Sequence, residues 1–130
     1  MNGKTSQTIA LQFNSYFNSH DIDNLATLMT SDHVFIDVNN TTIEGKEKVL
    51  GMWQRFFENF QDDYRNIFEY LAVQNDVIII QGHTVWTISE LEDKSVNNGL
   101  WTMKIRDGKV AEWRVYVDTP ENRKQLEIDG

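Results

Sequence analysis

The apolar residues of this chain follow a helical period in its first half and a strand period in its second. From Thr5 to Ser19, Ile9, Phe13, Tyr16 and Phe17 recur at helical spacing and Ala10 widens the stripe, which predicts a first helix. The stretch SHDIDNL breaks it. Asp21 is the expected N-cap of a short second helix with Ile22, Leu25, Leu28 and Met29 on one side. HVFID, residues 33–37, reads as a brief strand that ends on an acid. A polar turn, a short segment at Ile43 and a third helix opening near Gly45 follow, with Val49, Met52, Trp53, Phe56, Phe57 and Phe60 on its face. From Tyr64 the period becomes two. Strands are expected over 64–74, 77–88, 98–106 and 109–118, with SELEDKSVNNG (89–99) as a polar loop and a closing helix from Pro120, a good first helical residue.

Helices first and antiparallel hairpins after predict an α+β domain, its helices packed on one face of a curved sheet. In the last hairpin Trp101, Met103 and Ile105 form one apolar row, and Ala111, Trp113, Val115 and Val117 form the other. A two-residue turn at Asp107-Gly108 would set these rows against polar neighbours. A three-residue loop with Gly108 left-handed in a bulge would instead set Trp101 opposite Trp113, and that register is expected. In DVIIIQGHTVWTI neither side is wet: Ile78, Ile80, Gly82, Thr84, Trp86 and Ile88 lie on one, and Val77, Ile79, Gln81, His83 and Val85 on the other. Three helices cover one sheet face. The economical arrangement is a homodimer packed through the cleaner aliphatic face that holds Trp86, with Gln81 and His83 turned toward the helices.

Composition narrows the partners. The chain has 130 residues and is 40% hydrophobic, enough for one domain with a real core. Twenty acids against twelve Lys and Arg give a net charge of −8, which repels nucleic acid and anionic membrane surfaces. With no cysteine, no apolar run of bilayer length and no basic-then-apolar leader, a cytoplasmic protein is the expectation. The three histidines have no paired ligand spacing, and no phosphate loop, nucleophile elbow or other cofactor motif is present, so no metal and no cofactor are expected.

The order of a helix, HDIDNLATLMTSDHVFID, Gly45 opening a helix, and four strands ending in DGKVAEWRVYVDTPENRKQL resembles the nuclear transport factor 2-like superfamily, in particular its SnoaL-like polyketide cyclase and ketosteroid isomerase-like branches. The resemblance covers nearly the whole chain, 1–130, as a single domain. It implies a cystatin-like cone: three N-terminal helices on a strongly curved, mostly antiparallel mixed sheet, with a small apolar cavity inside and a dimer behind the sheet. It also implies that Asp37 stands where the isomerases keep their proton-shuttling base. Phe13 and Trp101 fall where those enzymes have oxyanion donors, so the usual steroid isomerisation is not implied; loss of one such donor costs ~100-fold or more. Asp118 is the counterpart of the cyclases' acid, but alternation puts it with Arg114 and Tyr116, off the apolar row.

The remaining candidate chemistry is Asp37 with His83 as an acid–base pair, as dehydratases of the superfamily use an Asp with histidines. The alternatives are that Asp37 caps the NNTT turn and that His83 is a satisfied core or interface histidine. Gln81 is placed to orient His83 or a ligand carbonyl. Tyr16, Phe17, Trp53, Phe57, Trp101, Met103, Trp113 and Val115 are the expected lining for a small apolar or aromatic ligand. Three readings stand: a cofactor-independent isomerase, cyclase or dehydratase acting on a carbonyl compound, a ligand-binding module without turnover, or a structural dimer whose cone its own indoles fill.

Overall fold

The computed structural model describes residues 3–59, 64–87 and 94–128, with the backbone alone for 3, 4, 87 and 94–96. Its helices begin and end on the expected punctuation. Helix α1 (Gly3–Asn18) buries Ile9, Ala10, Phe13 and Phe17. It closes with paired backbone bonds, His20 N–H to the Phe17 carbonyl and Asp21 N–H to that of Tyr16, around a left-handed His20 (φ 57). The Asp21 carboxylate accepts from Asn24 N–H and caps α2 (Ile22–Thr27). Met29 is not part of that helix but starts β1 (Met29–Ile36), which therefore begins four residues ahead of HVFID. A short β2 (Thr42–Glu44) leads to Gly45 (φ 100) and α3 (Lys46–Asn59), which buries Val49 and Trp53. The Phe60 and Ile88 assignments and the 89–93 part of the polar loop lie outside the described residues.

Four longer strands follow: β3 (Arg65–Gln74), β4 (Val77–Thr87), β5 (Lys94–Arg106) and β6 (Lys109–Val117). Helix α4 (Pro120–Gln125) comes after them, with Thr119 as N-cap. Strand β5 also takes in residues 94–97, expected as loop. All six strands form one sheet in the order β2-β1-β6-β5-β4-β3, antiparallel except for β1 beside β6. It is an α+β cone with an open sheet.

The last hairpin reaches its register by a different route from the expected one. Arg106 pairs with Lys109 across a two-residue turn, with both Asp107 (φ 54) and Gly108 (φ 76) left-handed. The extra residue enters later. Ile105 faces Val110 and Lys104 faces Glu112, so the bulge sits at Ala111 and sets Met103 opposite Trp113 and Trp101 opposite Val115. The apolar rows still meet, one step displaced from the expected pairing.

The faces of β4 are the reverse of the expected assignment. Ile78 and Ile80 are fully buried against the helices. The Thr84 hydroxyl donates to Asn66 Oδ1 at 2.9 Å, and Asn66 is in turn held by α1. Asn14 and Asn18 both donate to its carbonyl at 2.9 Å, and its N–H donates to Asn18 Oδ1 at 2.8 Å. Edge strand β3 thus has its outward backbone groups at Asn66 satisfied by a helix. Trp86, whose ring lies 5.7 Å from that of Tyr64, shares this inner face. Gln81 and His83 therefore point to the outer face. There Ile79 and Leu100 are buried, and α4 reaches this face through Arg123, which lies against Gln81 and binds both Asp118 oxygens at 2.5 and 2.8 Å. The fourth helix supplies cover that three helices lack.

Candidate functional site

The inner face of the cone is an aromatic cluster built from α1, α3, β1 and β6. Trp113, 1% exposed, sits at its centre, edge-on to Phe13 (5.2 Å), Phe17 (5.1 Å) and Phe35 (5.7 Å) and tilted against Trp53 (5.4 Å). Each such pair adds about 0.5–1.5 kcal/mol beyond burial, so the cluster fixes its rings firmly. Of the expected lining, Phe17, Trp53, Trp101, Met103 and Trp113 are buried together, and Tyr16, Phe57 and Val115 pack partly buried against them. The structure brings this whole set to one side of the sheet.

It does not bring in the acid–base pair. Asp37 lies just past the end of β1, in alternation with Phe35, but its Oδ1 accepts from the N–H groups of Asn39 (2.9 Å) and Thr41 (3.0 Å) and closes the β1–β2 turn. His83 Nδ1 meets Glu69 Oε1 at 2.6 Å on the outer face, and Gln81 lies against Arg123 there. Three interstrand steps separate β1 from β4, about 14 Å at sheet spacing. Asp37 and His83 thus lie far apart, with His83 on the face opposite the aromatic cluster. Both sides of β4 are apolar enough to be inner, and only the long-range Asn66 contacts decide between them.

Asp118 is structural in its surroundings. The Arg123 guanidinium holds its carboxyl below the usual carboxylate range, against the opposing effect of burial.

The group that sequence reasoning missed is His33, which opens HVFID and is fully buried. Its Nδ1–H donates to the Val110 carbonyl at 2.7 Å, its ring stacks at 6.0 Å on Phe13, and its own carbonyl accepts from Gly45 N–H at 2.8 Å. Burial lowers its pKa, partly offset by the Val110 bond, which favours the neutral ring. The available signal was alternation, since His33 shares a strand face with Phe35. His33 Nε2, Trp53 Nε1 and Trp113 Nε1 are all buried without a hydrogen-bond partner among the described residues. Burial pushes the half-buried Tyr64 phenol up as well, opposed by a hydrogen bond with Thr84.

Outside the cone, an open groove of about 420 Å³ runs between α1 and the start of β3, lined by Leu11, Asn14, Ser15, Asn18, Ser19 and Arg65. Among the described residues no cluster of three or more His, Asp or Glu is arranged to hold a metal, and no helix is long and apolar enough to cross a membrane.

An α+β cone with an aromatic interior is the architecture of the nuclear transport factor 2-like proteins, and the sequence places the chain more narrowly. The profile of the SnoaL-like domain matches residues 10–113, and the chain belongs to that family. No curated protein sequence matches it. Among solved structures it is similar to a putative SnoaL-like polyketide cyclase from Shewanella putrefaciens, with a TM-score of 0.76, 17% identity and coverage of 94% of this chain and 85% of that one. An epoxide hydrolase from M. tuberculosis superposes with a TM-score of 0.77 at 14% identity, over 88% of this chain and 84% of the other. TerC, co-crystallised with polyporic acid, gives 0.74 at 15% identity, over 95% and 98%. At these identities the likeness is one of fold.

Proposed function

We propose that this SnoaL-like domain binds a small, largely apolar ligand inside its cone. The observation that carries the reading is the set of polar atoms left without partners in the aromatic interior: the indole N–H groups of Trp53 and Trp113 and Nε2 of His33. An unmet buried donor or acceptor costs about 1–3 kcal/mol, and a core evolved only to be filled would hold Phe or Leu there. TerC, a protein of the same fold co-crystallised with polyporic acid, adds support. The test is a titration of the isotopically labelled protein with naphthalene, following the two indole N–H resonances. Saturable shifts at both are expected; resonances unmoved to the solubility limit would remove the reading.

A second reading, proton transfer on a carbonyl-bearing ligand, rests on Asp37 alone. Its Oδ2 accepts no hydrogen bond among the described residues, so one carboxylate oxygen remains available at the end of the inner row. Deuterium uptake at an acidic C–H of a bound ketone, abolished in Asp37→Asn, is the expected signature. Uptake at the uncatalysed rate sinks it.

A homodimer through the outer sheet face, in the cytoplasm, completes the proposal. Ile67 (39% exposed) and Tyr70 (56% exposed) leave an apolar strip on β3 that α4 does not cover. Sedimentation should show a dimer that Tyr70→Lys dissociates; a monomer at all concentrations contradicts it.

A further inference from the structure

The three orphaned atoms of the interior do not ask for the same partner. Both indoles are donors only. His33 is an acceptor: the Val110 carbonyl, 2.7 Å from Nδ1, takes a proton and cannot give one, so Nδ1 carries the hydrogen and the neutral ring presents a lone pair at Nε2. Burial keeps it in that state near neutral pH by disfavouring the imidazolium. The ring is also well anchored, by Val110 on one side, by Phe13 on its face and by the Gly45 N–H on its own backbone.

We propose that His33 is the specificity-determining residue of the interior site, accepting through Nε2 a hydrogen bond from the hydroxyl of a neutral phenolic or enolic ligand. This rests on the cone interior being a ligand site. An O–H is what Nε2 lacks, and a planar ring is what suits Phe13 and Trp113, which meet edge to face at 5.2 Å. The ligand oxygen, once it has donated, can still accept. A carboxylate does not fit: the core residues around the site are apolar, and a neutral imidazole offers no counter-charge. A ketone or ether leaves Nε2 as it is. The residue acts by selection, since a site that hydrogen-bonds a hydroxyl rejects the analogue without one far more strongly than an apolar pocket does.

The experiment compares 2-naphthol, naphthalene and 2-naphthoate by tryptophan fluorescence on the full chain. The His33 ring-nitrogen resonances of the wild-type protein are followed in the same titrations. Expected are 2-naphthol binding at least about tenfold more tightly than naphthalene, a shift of the Nε2 resonance with 2-naphthol only, and the weakest binding for 2-naphthoate. In His33→Phe the advantage of 2-naphthol over naphthalene should vanish. If that variant fails to fold, the wild-type nitrogen shift decides. Equal affinities for 2-naphthol and naphthalene, or an unmoved Nε2, overturn the role of His33 and leave the binding site standing. No binding by any of the three overturns both.

Discussion

The carbonyl oxygen of Ile67 occupies the place where a side chain on Gly82 would begin: an ideal Cβ there would lie 1.9 Å from it. Gly82 is paired with Phe68 at the bulge of β3, and the close approach of the two backbones lets that strand bend over β4. Gly82→Ala is expected to cost more than about 3 kcal/mol, because the obstructing atom is backbone and has nowhere to go. Gly51→Ala is the control. That Cβ meets nothing closer than the end of Arg55 at 3.9 Å in a helix interior, so a gain of up to about 1 kcal/mol is expected. Urea midpoints of the two variants, moving in opposite directions, check both.

Asp37 is expected to behave as a turn residue in stability measurements. Asp37→Asn retains an oxygen for the N–H groups of Asn39 and Thr41 and should lie within about 0.5 kcal/mol of wild type, whereas Asp37→Ala leaves both without that acceptor and should cost about 1 kcal/mol. Equal losses in urea unfolding would show that the turn does not depend on this oxygen.

The Asp118–Arg123 pair docks α4 on the outer face. Asp118→Asn should speed amide exchange in α4 and around Leu100 by roughly tenfold, with the inner face unaffected. Because the folded pKa of Asp118 is lowered, the stability from this contact is present above its ordinary pKa of 3.8 and is lost as the pH falls through the folded value. In Asp118→Asn that acid loss should be missing.

His33 acts at higher pH. Its folded pKa is lowered from 6.5, so the unfolded chain binds its proton first on acidification. Stability should be full above about pH 6.5 and fall as the pH drops toward the folded pKa. His33→Phe should flatten that part of the curve in urea unfolding between pH 7.5 and 5. A curve of unchanged slope would place the titration elsewhere.

Most of the architecture was legible because its signals are local. Asp21 caps its helix, Pro120 opens the last one, and the change of period at Tyr64 marks where helices give way to strands. What was not legible depends on contacts distant in sequence. The facing of β4 is set by Thr84 and Asn66 against α1, while Ile78, Ile79 and Ile80 are all buried and favour neither side. The bulge at Ala111 left no mark in composition, since either way of inserting one residue rescues the apolar rows. The aromatic side of the site was readable as a stripe. His83 was misplaced with its strand, and His33 was overlooked because a lone histidine without a paired ligand spacing carries no signal of its own.

The parallel pairing of Phe35 with Trp113 has a consequence for synthesis on the ribosome. The N-terminal helices and β1 emerge first, but the strand that must lie between β1 and β5 is made last. Until it leaves the exit tunnel, Phe13, Phe17, Phe35 and Trp53 lack the indole on which they converge, and the nascent chain carries greasy surface that chaperones bind. The domain can therefore complete its fold only after translation has passed Val117.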